Sequence, residues 1–280
     1  MRPVLALLLV SALWGGTFVA IKRGLADASP LLFVALRFLL ATLAALPLLR
    51  SGAALRRALR TGIPLGLVLL GGYTTQTLGL VTTTPARSAF LTALNVTIVP
   101  IWAFALFGRR PAPTSLAGLA IALPGLWLVT GAGGPDWTPG ELWTLACAVL
   151  FALHVVLVAR WGATADTGGL LVAQLATTGI LALAATPVLE RPHLTPTPWL
   201  ATALASTAVL ATAGTTWLQL RFQPRVDPTR AAVIYATEPV FAALFSWGLR
   251  VERIDAFACA GGGLIVLGAL VSELGGRRAS

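Results

Sequence analysis

GGYTTQTLGLVTTTPARSAFLTALNVTIVP, residues 71–100, meets GTTWLQLRFQPRVDPTRAAVIYATEPVFAA, residues 214–243, when the chain is slid against itself by 143 positions. Gly71 falls on Gly214, Gln76 on Gln219, Pro85 on Pro228, Arg87 on Arg230 and Asn95 on Glu238. The register continues without a gap to Val129 against Ser272, with Gly118 on Gly261 and Gly125 on Gly268. The helix opening each half aligns at a shift of 137, where Trp14 meets Phe151, Thr17 meets His154 and Arg23 meets Arg160. One structural unit is therefore used twice.

What the unit contains follows from hydropathy. The chain is 57% hydrophobic and 11% charged over 280 residues, with a mean hydropathy of +0.85. That is too apolar for a fold whose surface must face water. A helix crossing roughly 30 Å of hydrocarbon needs about 20 apolar residues. Arg, Pro, Gly and acidic punctuation divides the chain into ten such stretches: 3–21, 31–49, 62–81, 86–106, 114–131, 141–159, 168–189, 198–220, 229–249 and 255–273. The expected fold is all-α and integral to the membrane, ten transmembrane helices in two five-helix repeats, residues 1–137 and 138–280. An odd number of spans per repeat inverts the second copy relative to the first, and a central cavity between inverted repeats is a transporter signature. Connections of a dozen residues or fewer leave no room for a soluble catalytic or nucleotide-binding domain.

The net charge of +10 and pI near 11.4 would suggest nucleic acid in a soluble protein. Here the cations sit in short loops between apolar stretches, so they report topology, and no nucleic-acid partner is expected. On one side lie Arg2, Arg50, Arg56, Arg57, Arg60, Arg109, Arg110, Arg160, Arg221, Arg225, Arg230, Arg277 and Arg278; on the other lie Lys22, Arg23, Arg87, Arg191, Arg250 and Arg253. Thirteen against six places both termini in the cytoplasm by the positive-inside rule, in a multi-pass protein of a bacterial inner membrane. Nineteen arginines against one lysine reflect a GC-rich genome rather than function. Cys147 and Cys259 fall inside apolar stretches without disulfide or metal spacing and read as small core residues. The opening apolar run lacks a small-residue cleavage site and reads as a retained helix.

Leu13-Trp14-Gly15-Gly16-Thr17-Phe18-Val19-Ala20, then Ser29-Pro30 and Arg37-Phe38, and in the ninth stretch Arg230 to Leu244 ending near Glu252-Arg253, resemble the drug/metabolite transporter superfamily, and within it the EamA-type ten-helix transporters. The chain departs from that pattern at Gly108-Arg109-Arg110, where the family often has Gly-Glu-Arg. The resemblance covers essentially the whole chain. It implies export of amino acids or related metabolites, with an aromatic amino-acid exporter as architectural precedent; sugars, nucleotide sugars and drugs are the family's other solutes.

Polar groups at membrane depth are costly and tend to face a cavity or one another. Glu238 precedes Pro239, whose ring removes a backbone hydrogen bond and opens the helix locally. It reads either as a proton-coupling carboxylate or substrate-amine ligand, or as a carboxyl bonded to a neighbouring helix; its repeat mate, Asn95, is neutral. His154 could titrate near neutral pH in a cavity or fill a packed core. Gln76 and Gln219, at equivalent positions, either face the cavity or cross-link helices. Trp14, Tyr73, Trp102, Trp217 and Tyr235 could stack on a substrate, Trp14 and Tyr235 lying deepest in their helices, and Thr17 stands beside Trp14. Trp137, Trp143, Trp161 and Trp199 read as interfacial anchors, and Arg37 as a residue that snorkels to the interface. Gly118, Gly125, Gly261, Gly262, Gly263 and Gly268 permit close helix contact, either repeat against repeat or across a homodimer.

A secondary transporter fits these features, with a small-molecule substrate and the bilayer as partners, monomeric or homodimeric, and with no metal or cofactor expected. The sequence holds no G-x-x-x-x-G-K-[ST] loop for ATP, no H-E-x-x-H and no G-x-S-x-G, so an intramembrane enzyme is a minor alternative. A channel lacks its ring of like residues.

Overall fold

The computed structural model describes residues 3–83, 85–130, 138–248 and 256–276, which are α-helical apart from short connections. Trp137, Glu252 and Arg253 lie outside the described residues. Five of the apolar stretches form single helices: α4 (Gly52–Thr82), α7 (Pro113–Thr130), α8 (Pro139–Trp161), α9 (Thr167–Leu189) and α14 (Ala256–Gly276). A sixth forms α3 (Pro30–Ala45), extended by a 3₁₀ turn. The remaining stretches are interrupted: α1 (Pro3–Gly15) and α2 (Thr17–Gly24), α5 (Pro85–Ala93) and α6 (Asn95–Phe107), α10 (Pro198–Ala208) and α11 (Thr215–Phe222), α12 (Pro228–Tyr235) and α13 (Glu238–Gly248). Six helical stretches among the described residues are long and apolar enough to cross a membrane, Pro3–Gly24, Pro30–Leu48, Gly52–Thr82, Arg87–Phe107, Pro139–Trp161 and Thr167–Leu189, and shorter apolar helices cover Pro113–Leu128 and Cys259–Ser272. The outer surface is accordingly apolar, with Val188 80% and Phe257 68% exposed. The chain is a multi-pass membrane protein.

Helix starts are set by short polar residues at the caps. Ser51 accepts a hydrogen bond from Ala54 N, Asp166 from Gly169 N, Thr197 from Leu200 N and Asp227 from Thr229 N, each satisfying an otherwise orphaned helical donor. Thr138 and Glu141 close a capping box at α8. The start of α3 is capped from a distance: the Glu190 carboxylate accepts from Ser29 Oγ, Leu31 N and Leu32 N at 2.6–3.0 Å, an anion where the helix dipole favours one. The two connections so joined also share a bridge, Ala28 to Leu194.

α7 and α14 approach most closely through glycine. A Cβ at Gly118 would stand 2.5 Å from Gly268 O, and one at Gly125 would stand 2.6 Å from Gly261 O. Gly263 has nothing within 4 Å, so only part of the glycine-rich face is used for this contact. Gly118→Val should therefore force the two helices apart, at about 1–3 kcal/mol for an overpacked contact, visible as a lower apparent Tm in detergent. Cys147 is buried as expected, whereas Cys259 is exposed on α14, so its small side chain serves no core there. Trp143 and Trp199 are 46% and 42% exposed, and Arg23 stacks over the Trp199 ring at 4.8 Å.

Three helix breaks share one backbone geometry. Gly16, Leu94 and Ala236 have ψ of −9°, −11° and −9°, the tightened geometry of a 3₁₀ step. Leu94 N is shared between Phe90 O and Leu91 O, and Thr237 N reaches back only to Ile234 O at 3.0 Å. Hydroxyls bind the loosened carbonyls: Thr97 Oγ1 donates to Leu94 O, and Thr237 Oγ1 to Ile234 O. Positions 94 and 237 are mates under the 143-residue shift. Gly15 lies against the break at Ala236, where a Cβ would stand 2.8 Å from Glu238 O. The interruption between α10 and α11 differs, being a π-helical turn over Val209–Gly214.

Candidate functional site

The breaks converge on a cavity of about 630 Å³, counting its open mouth. Its wall carries nine of the residues singled out from the sequence: Trp14, Thr17, Tyr73, Gln76, Asn95, His154, Gln219, Tyr235 and Glu238. Trp102 and Trp217 lie outside the lining. Trp102 follows Asn95 by seven residues, about 10 Å of helical rise, and its Nε1 donates to Val149 O on α8. Trp217 is one residue from the lining Thr216, about 100° round the helix, and packs edge-on against Phe222.

The sequence shifts also organise the lining. At 143 they pair Tyr73 with Thr216, Gln76 with Gln219, Thr92 with Tyr235 and Asn95 with Glu238; at 137 they pair Trp14 with Phe151, Thr17 with His154 and Phe18 with Val155. Both members of all seven pairs face this one cavity. Arg37 and Leu69 complete the wall. α3 and α9 also begin 137 residues apart, at Pro30 and Thr167, which makes Gln174 the mate of Arg37.

Several of these groups are held by named partners. Trp14 Nε1 donates to Ala211 O at 3.2 Å and to Thr215 Oγ1 at 3.1 Å, and its ring lies 5.3 Å from that of Tyr235. Tyr235 donates to Gln223 Oε1, whose amide donates to Val155 O at 2.6 Å. Gln223 lies one turn beyond Gln219, and this chain links two residues of the lining, Tyr235 and Val155. Gln76 Nε2 reaches Thr92 Oγ1 at 3.5 Å. His154 Nε2 lies 3.0 Å from Gln174 Oε1; an amide oxygen only accepts, so Nε2 carries the hydrogen. His154 is thus both a lining residue and a packed one.

Arg37 departs from the sequence expectation. It does not snorkel: it is 2% exposed, with Nε donating to Thr212 Oγ1 at 2.7 Å and Nη2 to Ala211 O at 3.3 Å, and its guanidinium lies 4.8 Å from the Tyr73 ring. The π-turn supplies both acceptors, and sequence reading gave no sign of it. Thr92 and Thr216 were also missed; each is the mate of an aromatic already chosen, and the repeat would have found them. Glu238 opens α13 and is partly exposed to the cavity. No hydrogen bond links its carboxylate to another described residue.

A multi-pass helical protein with a polar, aromatic-edged chamber among broken helices belongs to the class of membrane transporters. The EamA-like transporter family model matches residues 1–131 and again 138–274. The chain belongs to that family, within the drug/metabolite transporter superfamily. Two relatives from Archaeoglobus fulgidus are described as uncharacterized transporters: one is 28% identical over 270 residues, covering 96% of this chain and 85% of the relative, the other 25% identical over 280 residues, covering 94% of each. A solved crystal structure of a protein matches the fold with a TM-score of 0.83 at 22% identity, covering 100% of both chains.

Proposed function

We propose that the protein is a secondary transporter exporting amino acids, aromatic ones included, or related small metabolites by alternating access. In this reading residues 1–137 and 138–280 are inverted five-helix repeats, ten spans in all, in a bacterial inner membrane with both termini cytoplasmic. The observation that carries it is the seven mate pairs around one cavity: inverted repeats enclose a midplane site, and exchanging their conformations moves its opening from one face to the other. The two family matches, one per half, support the same division. The aromatic faces of Trp14, Tyr73, Phe151 and Tyr235 suit an apolar or planar side chain, while Gln76, Asn95, Gln219 and Glu238 supply the few polar groups that orient a ligand. Glu238 couples transport to protons or holds a substrate amine.

Purified protein reconstituted in vesicles should move labelled phenylalanine or leucine in a saturable, self-exchanging manner. Folded protein that moves neither these nor any other amino acid would overturn the substrate assignment.

A further inference from the structure

We infer that Arg37 is the receptor for the substrate carboxylate, so that an amino acid sits in the cavity with its carboxylate on Arg37 and its ammonium on Glu238. The inference deepens the amino-acid reading and rests on it. A guanidinium has five N–H donors. Those of Arg37 bonded within the protein are on Nε and Nη2, both to neutral acceptors, and Nη1 donates to no described residue. A buried charge is ordinarily paired with an opposite one. No carboxylate is within ion-pair distance of Arg37 among the described residues, yet the side chain lines the chamber. Its orientation is fixed beforehand by the π-turn and by the Tyr73 ring, which lies within electrostatic reach of both Arg37 and Glu238.

The repeat makes the placement asymmetric. The mate of Arg37 is neutral Gln174, and the mate of Glu238 is neutral Asn95. One half thus contributes the cation and the other the anion, to a chamber otherwise built, Leu69 apart, from matched positions. Among the described residues, a guanidinium without a carboxylate counter-ion and a carboxylate without a hydrogen-bond partner border one chamber and complement the two charges that an amino acid carries on its α-carbon. A free amine or an ester would satisfy only one of them.

Vesicles holding the wild-type protein should transport phenylalanine at least tenfold more efficiently than phenylalanine methyl ester or phenethylamine, which keep the ring and the amine. Arg37→Gln should bring phenylalanine down to the level of the ester while leaving phenethylamine unchanged, and Arg37→Lys should restore part of the preference. Equal wild-type transport of acid and ester would overturn the inference, as would an Arg37→Gln protein that keeps the preference. Should Arg37→Gln not fold, Arg37→Lys carries the test beside the wild-type comparison: it should lower the preference for the acid, and an unchanged preference would overturn the inference. Transport of none of the three compounds, nor of leucine, would remove the amino-acid reading and this assignment with it; transport of phenylalanine without discrimination would remove only the role of Arg37.

Discussion

Glu238→Gln should reduce uptake driven by a pH gradient to the rate of empty vesicles, while exchange of substrate across a vesicle without a gradient persists at a raised half-saturation concentration. The substitution keeps shape and an acceptor oxygen, so a substrate ammonium can still dock; it removes the group that can bind and release a proton. A carboxylate at membrane depth costs roughly 3 kcal/mol, and this one opens α13 beside a break, bordering the cavity and bonded to no described neighbour. Exchange by the variant should also lose any pH dependence that a titrating carboxylate imposes. Unchanged gradient-driven uptake would assign coupling elsewhere, with His154 the next group to test. Loss of exchange as well as uptake, with folded protein, would make Glu238 the amine ligand first and foremost.

The sequence located the apolar stretches because hydropathy and punctuation act over whole spans, and the described residues of these stretches are mainly helical. The breaks within them were only partly legible. Pro239 announced the one at Ala236, since a residue without N–H cannot continue the ladder. The equivalent break at Leu94 has Val96 where Pro239 stands in the other half, so no local residue marks it. Nine of the residues lining the cavity were legible because the repeat and the rarity of polar groups at depth point inward. Arg37 was misread because its acceptors, Thr212 and Ala211, belong to a π-turn more than 170 residues away. Trp217 was misplaced by helix phase: hydropathy identifies a helix without saying which of two adjacent residues faces its interior. The carboxylates that tie the connections together, Glu141 and Glu190, were not singled out: Glu141 is the first residue of one apolar stretch and Glu190 follows the last residue of another.

Glu141→Ala should destabilise the protein by on the order of 3 kcal/mol, as removing one partner of a buried charged network does. Glu141 is 1% exposed. One carboxylate oxygen accepts from Thr83 Oγ1 at 2.6 Å and lies 3.5 Å from Arg87 Nε. The other accepts from Thr138 N at 2.6 Å and from Thr138 Oγ1. A single side chain therefore joins the end of α4, the start of α5 and the first turn of α8, where a negative charge also suits the helix dipole. Lys22 at the end of α2 finishes the same corner, donating to the carbonyls of Leu80, Val81 and Thr83. Alanine leaves the Thr138 and Thr83 donors without that acceptor and removes a carboxylate beside Arg87. Glutamine keeps one acceptor oxygen but turns an N–H₂ toward whichever donors face its nitrogen, so Glu141→Gln should fall between wild type and alanine. The order wild type, Gln, Ala in apparent Tm in detergent checks the network. A Glu141→Ala protein as stable as wild type would mean that water reaches this corner and solvates its donors, leaving helix packing alone to hold α4 against α8.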